Sequence, residues 1–109
     1  MSTLPAGRIR HTVVFRLGHP EGSDGEEQFL AAARDALAKI PGVESFEILQ
    51  EVSPKNSYRF GISMEFADQA AYEGYNEHPD HVAFVEGRWL PEVEDFLEID
   101  YRMLTDSAE

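Results

Sequence analysis

A chain of 109 residues, 42% hydrophobic and 28% charged, has the size and make-up of one soluble globular domain, and no apolar run approaches the ~20 residues that span a bilayer. Its 21 Asp and Glu against 9 Lys and Arg give a formal charge of −12, which repels phosphate backbones and anionic lipid heads and excludes nucleic acid and membrane surfaces as expected partners. The absence of cysteine excludes disulfides, thiolate nucleophiles and Cys-ligated metal centres.

The opening "MSTLPAGRIRHTVV" lacks the charged, then long apolar, pattern of an export signal, so a cytoplasmic protein is expected, with one domain over residues 1–109 and a core at about 8–104. "RIRHTVVFRL" sets Ile9, His11, Val13, Phe15 and Leu17 against Arg10, Thr12, Val14 and Arg16, the period of two that marks a strand. "HPEGSDGEE" reads as a loop. Asp24 with Glu27 fits a capping box, and Phe29, Ala33, Ala36, Leu37 and Ile40 recur at helical spacing until Pro41 and Gly42 stop the helix. Its alanines either open a cavity or let the helix lie close on a sheet.

"VESFEILQEV" reads as a second strand with Phe46, Ile48 and Val52 on one side, and "SPKNS" as a turn. In the third strand Tyr58, Phe60, Ile62, Met64 and Phe66 alternate with Arg59, Gly61, Ser63 and Glu65. Asp68 caps a short helix carrying Ala71, Tyr72 and Tyr75, and Pro79 opens a further helical piece through Val82, Phe84, Val85 and Trp89. After Pro91, Leu97, Ile99, Tyr101 and Met103 alternate in a fourth strand, and "TDSAE" reads as a frayed tail. The order β-α-β-β-α-β is the ferredoxin-like split unit, an α+β fold whose four-stranded antiparallel sheet carries its helices on one face. Thr12, Val14, Gly61 and Ser63 on the other face are small or semi-polar, so a sheet-to-sheet homodimer is expected to cover them.

The densest chemistry lies in "YNEHPDHVAF". His81, in the first turn after Pro79, feels the positive end of the helix, which favours the neutral ring, while Asp80 opposes this, so no net shift is expected and a base near neutral pH results. Tyr75 lies one turn before His78, and a bend at the proline would bring it beside His81. His11 faces the helix side of strand one, with Phe29, Phe60 and Ile62 expected around it and Phe84 completing the lining. His78 is expected to start the helix. The rival constellation is a metal site at His78, Asp80 and His81, but histidines three apart across a proline with no third histidine nearby do not specify one, and neither metal nor cofactor is expected.

"HTVVFRL", "IPGV", "SYRFGISMEFAD" and above all "YNEHPDHVAF" resemble the stress-responsive A/B barrel domain family of dimeric α+β barrel proteins, over about His11 to Tyr101. The resemblance implies a ferredoxin-like protomer whose sheet pairs with a second copy. One plant branch of that family contains a polyketide cyclase working without metal or cofactor, and its catalytic positions imply His11, Tyr75 and His81 here. Three functions stay open at this stage. They are cofactor-free catalysis of aldol, cyclase or lyase type on a small apolar carbonyl compound, binding of such a ligand without turnover, and a structural or stress-related barrel with a filled interior.

Overall fold

In the computed structural model, which describes residues 4–104, the alternating segment forms β1, Ile9–Leu17. Ile9, His11, Phe15 and Leu17 are buried on its helix-facing side, while Arg10, Thr12, Val14 and Arg16 take the other. Then follow α1 (Asp24–Leu37), β2 (Glu44–Gln50), β3 (Phe60–Phe66), α2 (Gln69–Glu77) and α3 (Pro79–Phe84). A π-helical turn (Val85–Trp89), a last turn α4 (Leu90–Glu92) and β4 (Val93–Arg102) complete the order. The strands are antiparallel in the order β2-β3-β1-β4, the ferredoxin-like α+β arrangement expected from the element order. The expectation for the tail at 105–109 lies outside the described residues. Among those described, no helix is long and apolar enough to cross a membrane.

Several local expectations are corrected. The cap of α1 is Ser23, not Asp24: Ser23 has extended backbone and its Oγ accepts from the Glu26 amide at 3.2 Å, while the Glu26 carboxylate accepts from the Gly22 amide at 2.9 Å. Asp24 is already helical, so the box sits one residue earlier than the Asp24–Glu27 spacing suggests. Val52 and Tyr58 fall outside β2 and β3, and Val52 is exposed. The helix runs on through Pro91 into α4, and the fourth strand begins only at Val93. The register of β4 decides what alternation left open. Its apolar residues Leu97 and Ile99 pair with Val14 and Thr12 and so lie on the side away from the helices, whereas Phe96, Glu98 and Asp100 pair with Phe15, Val13 and His11 and face the helices.

The core is aromatic. Phe15 packs at 5.8 Å from both Phe29 and Phe60 and at 5.0 Å from Trp89, ring centre to ring centre. Ala33 is fully buried in the core, so this alanine serves packing, and of the residues of α1 only Leu37 reaches the cavity described below. After α1 the chain reverses at Gly42, whose φ of +93° suits a residue without Cβ; an added Cβ would meet Ala71 at an ordinary 3.6 Å. Gly42→Ala is therefore expected to cost about 1 kcal/mol through backbone strain alone, read as a melting temperature lower by roughly 4–8 °C.

Candidate functional site

His78 ends α2 and caps α3: it is extended at ψ 135°, and its Nδ1 accepts from the Asp80 amide at 3.1 Å. This break folds α3 back so that the His81 ring lies 4.5 Å from the Tyr75 ring at an interplanar angle of 51°. The π-helical turn that follows, a wide turn of the kind often found at functional sites, brings Val85 and Trp89 into the same wall.

Between these helices and the sheet lies a cavity of about 220 Å³. His11 from β1, Tyr75 from α2 and His81 from α3 all line it, and the His11 and Tyr75 rings are 5.9 Å apart. Most of the remaining wall is apolar, including Met64, Trp89, Leu90 and Phe96, with Glu98 as its carboxylate. Of the four residues expected to bind a ligand, Ile62 and Phe84 line the cavity and Phe29 and Phe60 do not. Those two lie further along the sheet against Phe15, because Phe60 pairs with Phe15 while His11 pairs with Met64. The rings around His11 are instead Phe66, Tyr72 and Tyr75.

Each polar group has a defined state. His81 Nδ1 lies 3.0 Å from the Asn76 carbonyl oxygen, which can only accept, so Nδ1 carries a proton and the neutral ring keeps its lone pair on Nε2. Burial pushes the His81 pKa down, with the Asn76 bond opposing and His11 nearby adding to the fall, where the sequence led us to expect no net shift. An NMR titration should accordingly find His81 titrating below the ordinary value of 6.5. Because the unfolded chain then binds a proton that the folded chain refuses, His81 should cost stability as the pH falls from 6.5 to its folded pKa, and no more below that. Tyr75 is 2% exposed, and its hydroxyl has no hydrogen-bond partner among the described residues. Burial, aided by the charge of Glu98, raises its pKa, so it remains a proton donor.

The sequence did not reveal the groups around His11. Its Nδ1 is 2.6 Å from Asp100 Oδ1, and the Tyr72 hydroxyl donates to Asp100 Oδ2 at 2.7 Å, with Glu98 Oε2 at 3.0 Å. Burial first, then these carboxylates, raise the Tyr72 pKa. Asp100 is 89 positions from His11, and only the β1–β4 register sets the two opposite each other. Among the described residues, His11, Glu98 and Asp100 are the three that could share a metal ion, their ligand atoms lying within 4.8 Å of one another, although the Tyr72 hydroxyl is within hydrogen-bonding reach of all three. His78, Asp80 and His81 do not form such a group among the described residues.

Comparison with known proteins adds the following. The stress responsive A/B barrel domain model matches residues 9–103. A dabb family protein with a ferredoxin-like fold from Mesorhizobium loti is 62% identical, covering 91% of this chain and 99% of its own, at a TM-score of 0.90. A dimeric ferredoxin-like protein from Thermobifida fusca is 22% identical over 93% of this chain and 95% of its own, with a TM-score of 0.75. A hydroxynitrile lyase from Passiflora edulis is 15% identical over 94% and 98%, with a TM-score of 0.79, a likeness of fold alone. No curated protein matches. With the family model spanning nearly all of the sheet and helices that build the cavity, the chain belongs to the stress-responsive A/B barrel domain family.

Proposed function

We propose that the cavity is a cofactor-free reaction site for a small neutral carbonyl compound, with His81 as the base and Tyr75 as the hydrogen-bond donor to the carbonyl oxygen. The observation that carries this reading is the Tyr75 hydroxyl, buried without a hydrogen-bond partner among the described residues in a cavity that also presents two imidazoles. Buried polar groups are nearly always paired, and a carbonyl oxygen in the cavity would satisfy this one. His81 Nε2 takes the proton as the C–H bond beside the carbonyl breaks, and the electron pair moves into an enolate whose oxygen Tyr75 holds. The enolate carbon then attacks a second carbonyl carbon, and the imidazolium returns the proton to the new alkoxide. No oxidant, reductant or metal enters the balance.

Size and charge narrow the substrate. An apolar cavity of about 150 Å³ holds a benzene molecule, so about 220 Å³ suits one ring with a few further heavy atoms. Longer chains would have to leave past Leu90 and Phe96, which are exposed at the rim. Glu98 and the charge of −12 disfavour anions. The test is a panel of neutral aryl and short-chain aldehydes, ketones and poly-β-keto compounds, read by thermal shift and by product formation. Turnover supports catalysis, a thermal shift without turnover leaves a binding protein, and no response to any compound removes the ligand readings.

The same reading includes a homodimer formed through the outer sheet face. Across it run the register-aligned row Leu49, Gly61, Val14, Leu97 and the row Glu47, Ser63, Thr12, Ile99, with Leu49, Leu97, Ile99 and Tyr101 exposed. The pairs Arg10–Glu65 and Arg16–Glu94, each 3.1 Å, border this apolar strip. Sedimentation should give twice the 12.3 kDa chain mass, and Ile99→Glu should give the monomer. A wild type monomeric at micromolar concentration would count against the dimer.

A further inference from the structure

We infer that Asp100 and Tyr72 are positioning residues that fix the proton of His11 on Nδ1, leaving its Nε2 as a second acceptor beside His81; the value of that acceptor to catalysis rests on the function proposed above. Cross-strand pairing sets Asp100 directly opposite His11, and the carboxylate reaches Nδ1 at 2.6 Å. Tyr72 arrives from α2, its ring 5.2 Å from that of His11, and its hydroxyl donates to the other carboxylate oxygen at 2.7 Å. One carboxylate thus accepts from two donors, one at each oxygen, and cannot swing away from the imidazole without breaking the bond from Tyr72.

The tautomer follows from the acceptor. An ionised carboxylate only accepts, so a 2.6 Å contact requires the proton on Nδ1. Glu98 Oε2, 3.4 Å from the same nitrogen, reinforces that choice. His11 is 7% exposed and lines the cavity, and its Nε2 has no partner among the described residues. Carboxylate, imidazole and cavity therefore stand in the same relation as the orienting acid, base and substrate of a hydrolytic triad, with Tyr72 as an additional clamp. The two histidines become equivalent in one respect: each has its Nδ1 proton held, His81 by the Asn76 carbonyl and His11 by Asp100, and each keeps a lone pair on Nε2. Tyr75 lies between them, 4.5 Å from one ring and 5.9 Å from the other. That arrangement sets two proton acceptors within ring contact of the Tyr75 hydroxyl donor.

The test uses the ligand-free protein. Nitrogen-15 NMR of the histidine rings, about two pH units above the usual histidine range, should show His11 with a protonated Nδ1 and an unprotonated Nε2. A wild type with the proton on Nε2 would overturn the inference whatever any variant does. Asp100→Asn, whose amide can also donate, should shift His11 toward the opposite tautomer, and Asp100→Glu should restore the original; an unchanged tautomer in Asp100→Asn would also overturn it. Tyr72→Phe should keep the tautomer while broadening the ring signals. Once a substrate is in hand, Asp100→Asn should lower kcat by ~10²-fold or more with little change in KM, where a mere loss of folded protein would leave kcat per folded molecule intact. Absence of turnover in the wild type removes the proposed reaction and leaves the tautomer result standing.

Discussion

Replacing Phe15 by alanine should destabilise the protein by about 3–5 kcal/mol, a large share of the ~5–15 kcal/mol that holds a domain together. Phe15 is 0% exposed on β1, one of the two central strands of the sheet, and its ring meets Phe29, Phe60 and Trp89. These neighbours come from α1, β3 and the π-helical turn, so no single rearrangement closes the space a lost ring would leave. Melting should fall by more than about 12 °C, taking ~4 °C per kcal/mol as the lower bound. Trp89 would lose its support, and because it also lines the cavity, ligand-induced thermal shifts should weaken in parallel. Val52→Ala, 81% exposed and outside β2, is the control, expected within ~0.5 kcal/mol. A Phe15→Ala cost under ~1 kcal/mol would show that the aromatic cluster collapses freely and does not define the cavity wall.

The second large effect separates activity from stability. Against a substrate that the panel identifies, His81→Ala should lower kcat by ~10²–10⁴-fold, the usual worth of a positioned base. Tyr75→Phe should cost ~10²–10³-fold, the range seen when one donor to a developing oxyanion is removed. Stability should move the other way. The Tyr75 hydroxyl is buried without a partner among the described residues, so deleting it removes an uncompensated polar group, and the melting temperature should hold or rise. A residue present only for packing would not give lost turnover together with retained or greater stability. Equal rates in wild type and both variants would remove the proposed roles, and a marked fall in melting temperature for Tyr75→Phe would mean that the hydroxyl is already paired.

How much of this was legible beforehand varies by element. The alternation of β1 correctly oriented His11, and the break at Pro79 correctly anticipated the approach of Tyr75 and His81. Both are local: a strand period and a helix start depend on residues a few positions apart. The His81 pKa was misjudged because helix end and Asp80 are visible in sequence, whereas the burial that lowers it comes from packing. Phe29 and Phe60 were placed in the wrong part of the interior, since alternation fixes the face of a residue but not how far along the sheet it sits.

The fourth strand shows the division most sharply. Its apolar residues have the spacing of a core-facing set, yet Leu97, Ile99 and Tyr101 are exposed and the helix side carries Phe96, Glu98 and Asp100. Periodicity reports two faces without saying which one meets the helices; that is set by hydrogen-bond register with β1. By itself the sequence determined the order of the strands and main helices and the likeness to the family, because local pattern and composition carry those. The tertiary structure alone decided that Asp100 and Tyr72 meet His11 and that a hollow remains beneath α3, because contacts between residues far apart in the chain exist only after the sheet has paired and the helices have packed upon it.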